Sequence, residues 1–442
     1  MSGRGDDWYP ADDQPRRERP RRNDGPSRPS PVSARQANVL ANPSSFKRDV
    51  HEPDYIILVT VVALTAIGIL MVYSASAIPQ YALHQNTFQL VAPQVLAGLL
   101  GFAAMVFLMR LDYRYLRVVS VPLAVTALLL LLVVLVPGPL SISSNGSSRW
   151  LYLGPFLPDV HPAEIAKLAL VVYLAHWLAA RGMGIRSFLR GTVPFAIIVV
   201  PFLVLGAREP DLGTAAVIVL IAFALFFVAG ANLIHLALAG VAGAAGGVVL
   251  VLAVGDYPIK RIHTLLDPWA DPQGAGYHTI RGLEALSAGG LFGTGLGNDK
   301  IFVPNDVNDF IFSVIAQELG LVGGAVVIGL FIAFAYAGIR TAVRAPDTFG
   351  GLLAAGIVAW ICCQALINIG VVVAVVPVTG ITLPFVSAGG SSLTVSLAAV
   401  GILLSISRET VERGWIGASS DSGRGYGGTY LPGSRRGSVA AG

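Results

Sequence analysis

Apolar runs of about 20 residues recur ten times along this chain, at approximately 55–78, 90–109, 118–137, 162–180, 192–206, 213–230, 233–254, 309–339, 351–376 and 391–407. A helix rises 1.5 Å per residue, so about 20 residues cross a hydrocarbon layer roughly 30 Å thick. Few soluble folds bury that many such runs. Of 442 residues, 54% are apolar and only 13% are charged, and the mean hydropathy is +0.68. The expected fold is an all-α polytopic membrane protein of about ten transmembrane helices. A large loop, 255–308, separates the seventh from the eighth. The eighth run is long enough to tilt or to project beyond the bilayer. Fifty glycines suit helices that pack closely in lipid.

The flanks differ in composition. Residues 1–53 are rich in Pro, Arg, Asp and Ser, and 409–442 in Gly, Ser and Arg, so both read as disordered tails around a membrane domain at 54–408. The basic cluster around Arg16, Arg17, Arg19, Arg21 and Arg22 reads as a solvated tail. The net charge of +4 lies mostly in the tails, which makes nucleic acid an unsuitable partner. Cys362 and Cys363 are adjacent within an apolar run and read as small buried residues, not a disulfide or metal framework. No cleavable signal precedes the first run, which serves as its own anchor.

Loop charges set the orientation. Arg110, Arg114 and Arg117, then Arg181, Arg186 and Arg190, then Arg340 and Arg344 fall in alternate loops, whereas the intervening short loops carry few cations. The positive-inside rule places the basic loops and both tails in the cytoplasm. Loop 255–308 and Asp309 then lie outside. No ATP is available there, so any reaction must draw on an activated substrate.

Asp309 follows Asn305-Asp306-Val307-Asn308 and opens the eighth run, where water, headgroups and hydrocarbon meet. Ionisable groups at that depth are expensive and usually functional. The residues alone also allow a structural account, in which Asn308 caps the helix and Asp309 in its first turn adds about 0.3–1 kcal/mol. His161, Glu164 and Lys167, spaced by three, share one helical stripe. Pro162 and Glu164 suit a first turn. Lys167 lies deeper in an apolar helix, which points to a buried Glu–Lys pair facing a polar cavity. Asp211, in Glu209-Pro210-Asp211, reads as an N-cap.

In the large loop, Lys260 and Arg261 suit a lipid phosphate or anchor the span end. Trp269 and Tyr277 fit an aromatic belt, and Ile280, Leu283 and Leu286 suggest a short amphipathic helix on the interface. The run Gly289-Gly290-Leu291-Phe292-Gly293-Thr294-Gly295-Leu296-Gly297 lacks the Gly-Lys-Ser/Thr of a phosphate loop and reads as a flexible re-entrant turn. Residues 377–392 are too irregular to face lipid, so they must be covered by protein or line a cavity. Ser387, Ser391 and Ser392 there are small hydroxyls able to admit a headgroup.

Taken in order, these pieces resemble the SEDS (FtsW/RodA/SpoVE) family of peptidoglycan glycosyltransferases. They are Met71-Val72-Tyr73-Ser74-Ala75-Ser76, Gly146-Ser147-Ser148-Arg149-Trp150, Pro162-Ala163-Glu164-Ile165-Ala166-Lys167, Glu209-Pro210-Asp211-Leu212-Gly213-Thr214 and Gly293-Thr294-Gly295-Leu296-Gly297. Further along come Asp309-Phe310-Ile311-Phe312, Glu318-Leu319-Gly320, and Leu383-Pro384-Phe385-Val386-Ser387 with Gly389-Gly390-Ser391-Ser392. The chain departs from the family's usual pattern at His161, His278, Asn308, Gln317 and Ala388.

The resemblance implies a multi-pass lipid II polymerase in the cytoplasmic (inner) membrane of a bacterium, working on its outer face in cell division or elongation. Its catalytic aspartate falls on Asp309 and its polar cavity on Arg149, Glu164 and Lys167. Lys260, Arg261, Ser387, Ser391 and Ser392 complete the expected substrate contacts. An inverting displacement needs one base for the acceptor hydroxyl and cations for the leaving diphosphate. A divalent cation (Mg or Mn) is a candidate cofactor, and no nucleotide is expected. The implied partners are lipid II, the growing glycan strand, a class B penicillin-binding protein (a transpeptidase), other division or elongation proteins, and the membrane. The long tails point to the FtsW-like, division side of the family. A lipid II flippase and a non-catalytic scaffold recruiting a transpeptidase are the rival readings.

Overall fold

The computed structural model describes residues 51–82, 88–136, 141–144, 147–151, 160–209, 212–254, 256–298, 301 and 307–410. Most of both expected tails, Asp211 and the stretch 302–306 lie outside them.

Each apolar run is a helix, because lipid offers the backbone no hydrogen-bond partners and a helix satisfies its own. In chain order they are α1 (Tyr55–Ala82), α2 (Phe88–Arg110), α3 (Tyr115–Leu135), α4 (Pro162–Arg181), α5 (Val193–Arg208), α6 (Leu212–Val228) and α7 (Leu233–Val254). The large loop adds α8 (Asp256–Leu266) and α9 (Tyr277–Gly289), and the chain closes with α10 (Ile311–Arg344), α11 (Thr348–Val372) and α12 (Gly390–Ser407). Among the described residues, eight helices are long and apolar enough to cross a membrane, and Gly213–Val228 and Leu233–Gly243 are shorter apolar helices. Pro93, Pro122 and Pro201 sit inside helices, which neighbouring helices in a bundle tolerate.

The most buried helices are α4, α11 and α12. α11 is the hub: it packs on α4, α6, α10 and α12, while α12 lies along α2 and α10 along α1. With lipid as apolar as leucine, such contacts are held by close packing and interhelical hydrogen bonds, not by exclusion of water.

Two expectations about the large loop change. The 280–286 stretch belongs to α9, which buries Ile280, Gly282 and Ala285 and packs on α10, so its apolar side is a packing face. The glycine-rich run is also not a flexible turn. α10 has a non-helical residue at Gly320 (φ 70°, ψ −168°), and the run is stitched to the gap by backbone hydrogen bonds. Thr294 N donates to Gln317 O (2.9 Å) and Gly295 N to Glu318 O (3.0 Å), while Leu321 N donates to Gly290 O (2.9 Å). The buried Glu318 carboxylate accepts from Ser74 of α1 at 2.7 Å and from Gly297 N at 3.2 Å. The loop thus supplies the donors and acceptors that the broken helix lacks.

A Cβ at Gly320 would fall 2.4 Å from Gly293 N, and its φ of +70° with extended ψ is a region essentially restricted to glycine. Gly320→Ala is therefore expected to lower the thermal unfolding midpoint of the detergent-purified protein by several degrees. Gly329→Ala on the same helix, where an added Cβ meets nothing within 4 Å, should leave it in place.

The far end of α10 lies in a cluster of ions. Arg340 pairs with Asp54 (2.6 Å), and Arg114 pairs with Glu409 (2.8 Å) and Asp347 (3.3 Å). Arg117 reaches the other Asp347 oxygen at 3.3 Å. Asp347 also caps α11 by accepting from Gly350 N at 2.7 Å. Tyr113 donates its hydroxyl to Asp347. Burial, aided by that carboxylate, pushes the phenol above its ordinary range, so it remains a donor. Here the first and last described segments meet: His51 N donates to Arg408 O (2.8 Å) and Asp54 N to Ser407 Oγ (3.2 Å).

Candidate functional site

Asp309 lies at the end of α10 opposite that ion cluster. α10 begins at Ile311 with Phe310 in the capping position, so Asp309 precedes the helix and is not in its first turn. This removes the capping account of the aspartate. The main chain around it is bolted down instead. Ala388 N donates to Val307 O (2.7 Å), Ser387 Oγ to Asn308 O (2.6 Å), and Asn368 Nδ2 to Asp309 O (2.9 Å). The half-buried carboxylate lies beside Gly380.

Arg149 reaches the same point from another element. A short antiparallel hairpin, β1 (Ser141–Ser144) and β2 (Ser147–Leu151), carries it, and Leu151 pairs with Val160 just before α4. The pattern of apolar runs does not foresee this hairpin. Arg149 Nε donates to Glu209 O at 2.9 Å. A Cβ built on Gly380 would lie 3.8 Å from Asp309 Oδ2 and 3.9 Å from Arg149 Nη1. With no side chain and φ +78°, Gly380 leaves that space open, and a carboxylate and a guanidinium border it.

The Glu–Lys pair read from the spacing of three is present and buried. Lys167 Nζ donates to Glu164 Oε1 at 2.8 Å and to Gln364 Oε1 at 2.7 Å, and lies 5.5 Å from the centroid of the Trp360 ring. Glu164 Oε2 is buried without a hydrogen-bond partner among the described residues. His161, the third member of the stripe, packs its ring edge-on to Trp150 at 5.1 Å, and its backbone N–H donates to Ser391 Oγ at 3.2 Å.

The segment between α11 and α12 is irregular; Val373 and Val375 at its start are exposed, and residues 377–389 are buried or half-buried within protein, as their composition requires. Its three serines do not act alike. Ser387 Oγ bridges Asn308 O and Leu383 N, so its hydroxyl braces two backbones. Ser392 shares a hydrogen bond with Thr382 Oγ1 (3.1 Å). Arg261 Nη1 donates to Val378 O at 2.6 Å, which brings α8 onto this segment two residues from Gly380, whereas Lys260 is exposed.

The chain matches the FtsW/RodA/SpoVE family, described as cell cycle proteins, over residues 55–412. The chain belongs to the FtsW/RodA/SpoVE family. It is 43% identical over 359 residues to stage V sporulation protein E of Bacillus subtilis (strain 168), covering 80% of this chain and 97% of that one. It is 38% identical over 370 residues to a probable peptidoglycan glycosyltransferase FtsW of Geobacter metallireducens, covering 81% and 96%. Among solved structures, it superposes with a TM-score of 0.67 and 30% identity on a chain of a peptidoglycan synthase complex that coordinates polymerization and crosslinking, covering 81% and 99%.

For this FtsW/RodA/SpoVE member, sequence reasoning missed Gln364 and Asn368. Both are nearly fully buried in α11. Two amides spaced by four inside an apolar run were the available signal. Glu209, also fully buried, was overshadowed by Asp211. Among the described residues, no three His, Cys, Asp or Glu side chains lie close enough together to hold a metal ion. The charge bordering the Gly380 space opposite Asp309 is cationic. Diphosphate charge at such a site would meet the Arg149 guanidinium.

Proposed function

We propose that this chain is a peptidoglycan glycosyltransferase that polymerises lipid II by inverting transfer. The observation that carries the reading is the space beside Gly380, bordered by Asp309 Oδ2 and Arg149 Nη1. In this reading the 4-hydroxyl of the acceptor sugar attacks the anomeric carbon of the donor chain. The new glycosidic C–O bond forms as the bond to the polyprenyl diphosphate breaks. Asp309 accepts the hydroxyl proton, as a positioned carboxylate does for a weak nucleophile. Arg149 and Lys167 offset the negative charge that grows on the leaving diphosphate. With Asp309 as base and no second carboxylate called on as nucleophile, the configuration in this reading inverts in a single displacement.

The remaining geography belongs to the same proposal. The bundle spans the cytoplasmic membrane with the ion cluster and both tails inside and Asp309 outside, as the positive-inside rule favours. A class B penicillin-binding protein is the proposed partner, which the likeness to a chain of a peptidoglycan synthase complex supports.

Purified protein in detergent, given lipid II alone, tests the reading. Glycan polymer in the absence of any other synthase is the expected product. Movement of lipid II across liposomes with no polymer would establish a flippase instead.

A further inference from the structure

The catalytic reading leaves one polar feature of α11 without a role. Gln364 and Asn368 are one helical turn apart, so their side chains lie on the same stripe. They bind successive carbonyls of the irregular segment: Gln364 Nε2 donates to Thr382 O (3.1 Å) and Asn368 Nδ2 to Ile381 O (2.7 Å). Each also holds one half of the site. Gln364 Oε1 accepts from Lys167 Nζ (2.7 Å) and Trp360 Nε1 (2.8 Å), and Asn368 Nδ2 donates to Asp309 O (2.9 Å). One helix thereby joins the aspartate, the Gly380 region and the buried lysine.

We propose that Asn368 is a positioning residue for the proton-accepting Asp309, with Gln364 as the companion that sets the lysine against it. Three features support this over a purely structural tie. Asn368 grips the main chain of the proposed base itself, and no side chain stands between them. Its two contacts hold Asp309 and Ile381, the neighbour of Gly380, so they fix the carboxylate relative to the space it faces. Its Oδ1 is buried with no hydrogen-bond partner among the described residues. A group retained only for stability would gain by satisfying that acceptor. Asn368 touches neither the sugar nor the diphosphate in this scheme. It acts by holding the carbonyl of residue 309, and so the direction of the carboxylate.

The proposal rests on Asp309 being the base, and the test separates the two. Asn368→Asp keeps the shape but turns an oxygen towards both carbonyls, and Asn368→Ser shortens the reach. Each variant is purified as the full chain. Its capacity to bind a fluorescent lipid II analogue is measured beside its turnover of lipid II, with Asp309→Asn as reference. We expect binding capacity and KM within about threefold of the unmodified protein, and kcat lower by on the order of 100-fold, the scale of a misplacement of about 1 Å. Unchanged kcat in both variants, with Asp309→Asn inactive, overturns the positioning role and leaves the base in place. Binding capacity and turnover lost together in both variants reduces Asn368 to a structural tie and also overturns it. An active Asp309→Asn protein removes the base, and the positioning role falls with it.

Discussion

Asp309→Asn protein is expected to fold, to bind lipid II and to make no detectable glycan. The substitution preserves shape and removes the group proposed to accept the acceptor's proton. Removing a positioned general base lowers a rate by about 100- to 10,000-fold. The expected loss is at the upper end, because a sugar hydroxyl is a weak nucleophile that depends on a positioned base. Folding should survive, since Asn keeps the shape of Asp and the main-chain atoms of 307–309 are held by hydrogen bonds of their own. Gel analysis of polymer from radiolabelled or fluorescent lipid II, beside a thermal unfolding curve, checks both halves. Polymer at the unmodified rate from the folded variant would dismiss Asp309 as the base.

Lys167→Met is expected to unfold the protein or leave it severely destabilised, whereas the double replacement of Lys167 by Met and Glu164 by Gln should fold and remain inactive. Lys167 is 1% exposed and Glu164 7%. Removing one partner of such a buried pair leaves an uncompensated charge, at a cost of about 3–5 kcal/mol. Replacing both removes that penalty, and similar-volume substitutions of buried pairs are often tolerated. The double variant thus separates stability from the proposed charge-stabilising role. Unfolding midpoints in detergent, with lipid II turnover of whatever folds, give the answer. A fully active double variant would show that the ammonium has no part in the chemistry.

The helices were legible because lipid imposes length and apolarity on each one separately, a constraint that acts along the chain. The Glu164–Lys167 contact was legible for the same reason: three residues on a helix is a local distance. Arg149 was reached only through family likeness, since the hairpin that delivers it has no apolar period to read. Asn368 illustrates the general limit. Its partners lie 59 and 13 residues away and are carbonyl groups, which every residue has, so no residue type marks them. Ser387 shows the converse. A serine in an irregular segment looks like a headgroup contact, yet its hydroxyl is occupied by Asn308 O and Leu383 N. The glycine-rich run looked slack because glycine permits many conformations. Here the permissiveness serves a single one, in which two backbones touch at Gly293 and Gly320.

The handshake between His51 and Arg408, reinforced by Asp54 with Ser407, means that the thread of the protein enters and leaves the helical body through one doorway. The first and last described residues of the helical body stand side by side, so a brief peptide splice between them could rotate the order of helices with every neighbour kept.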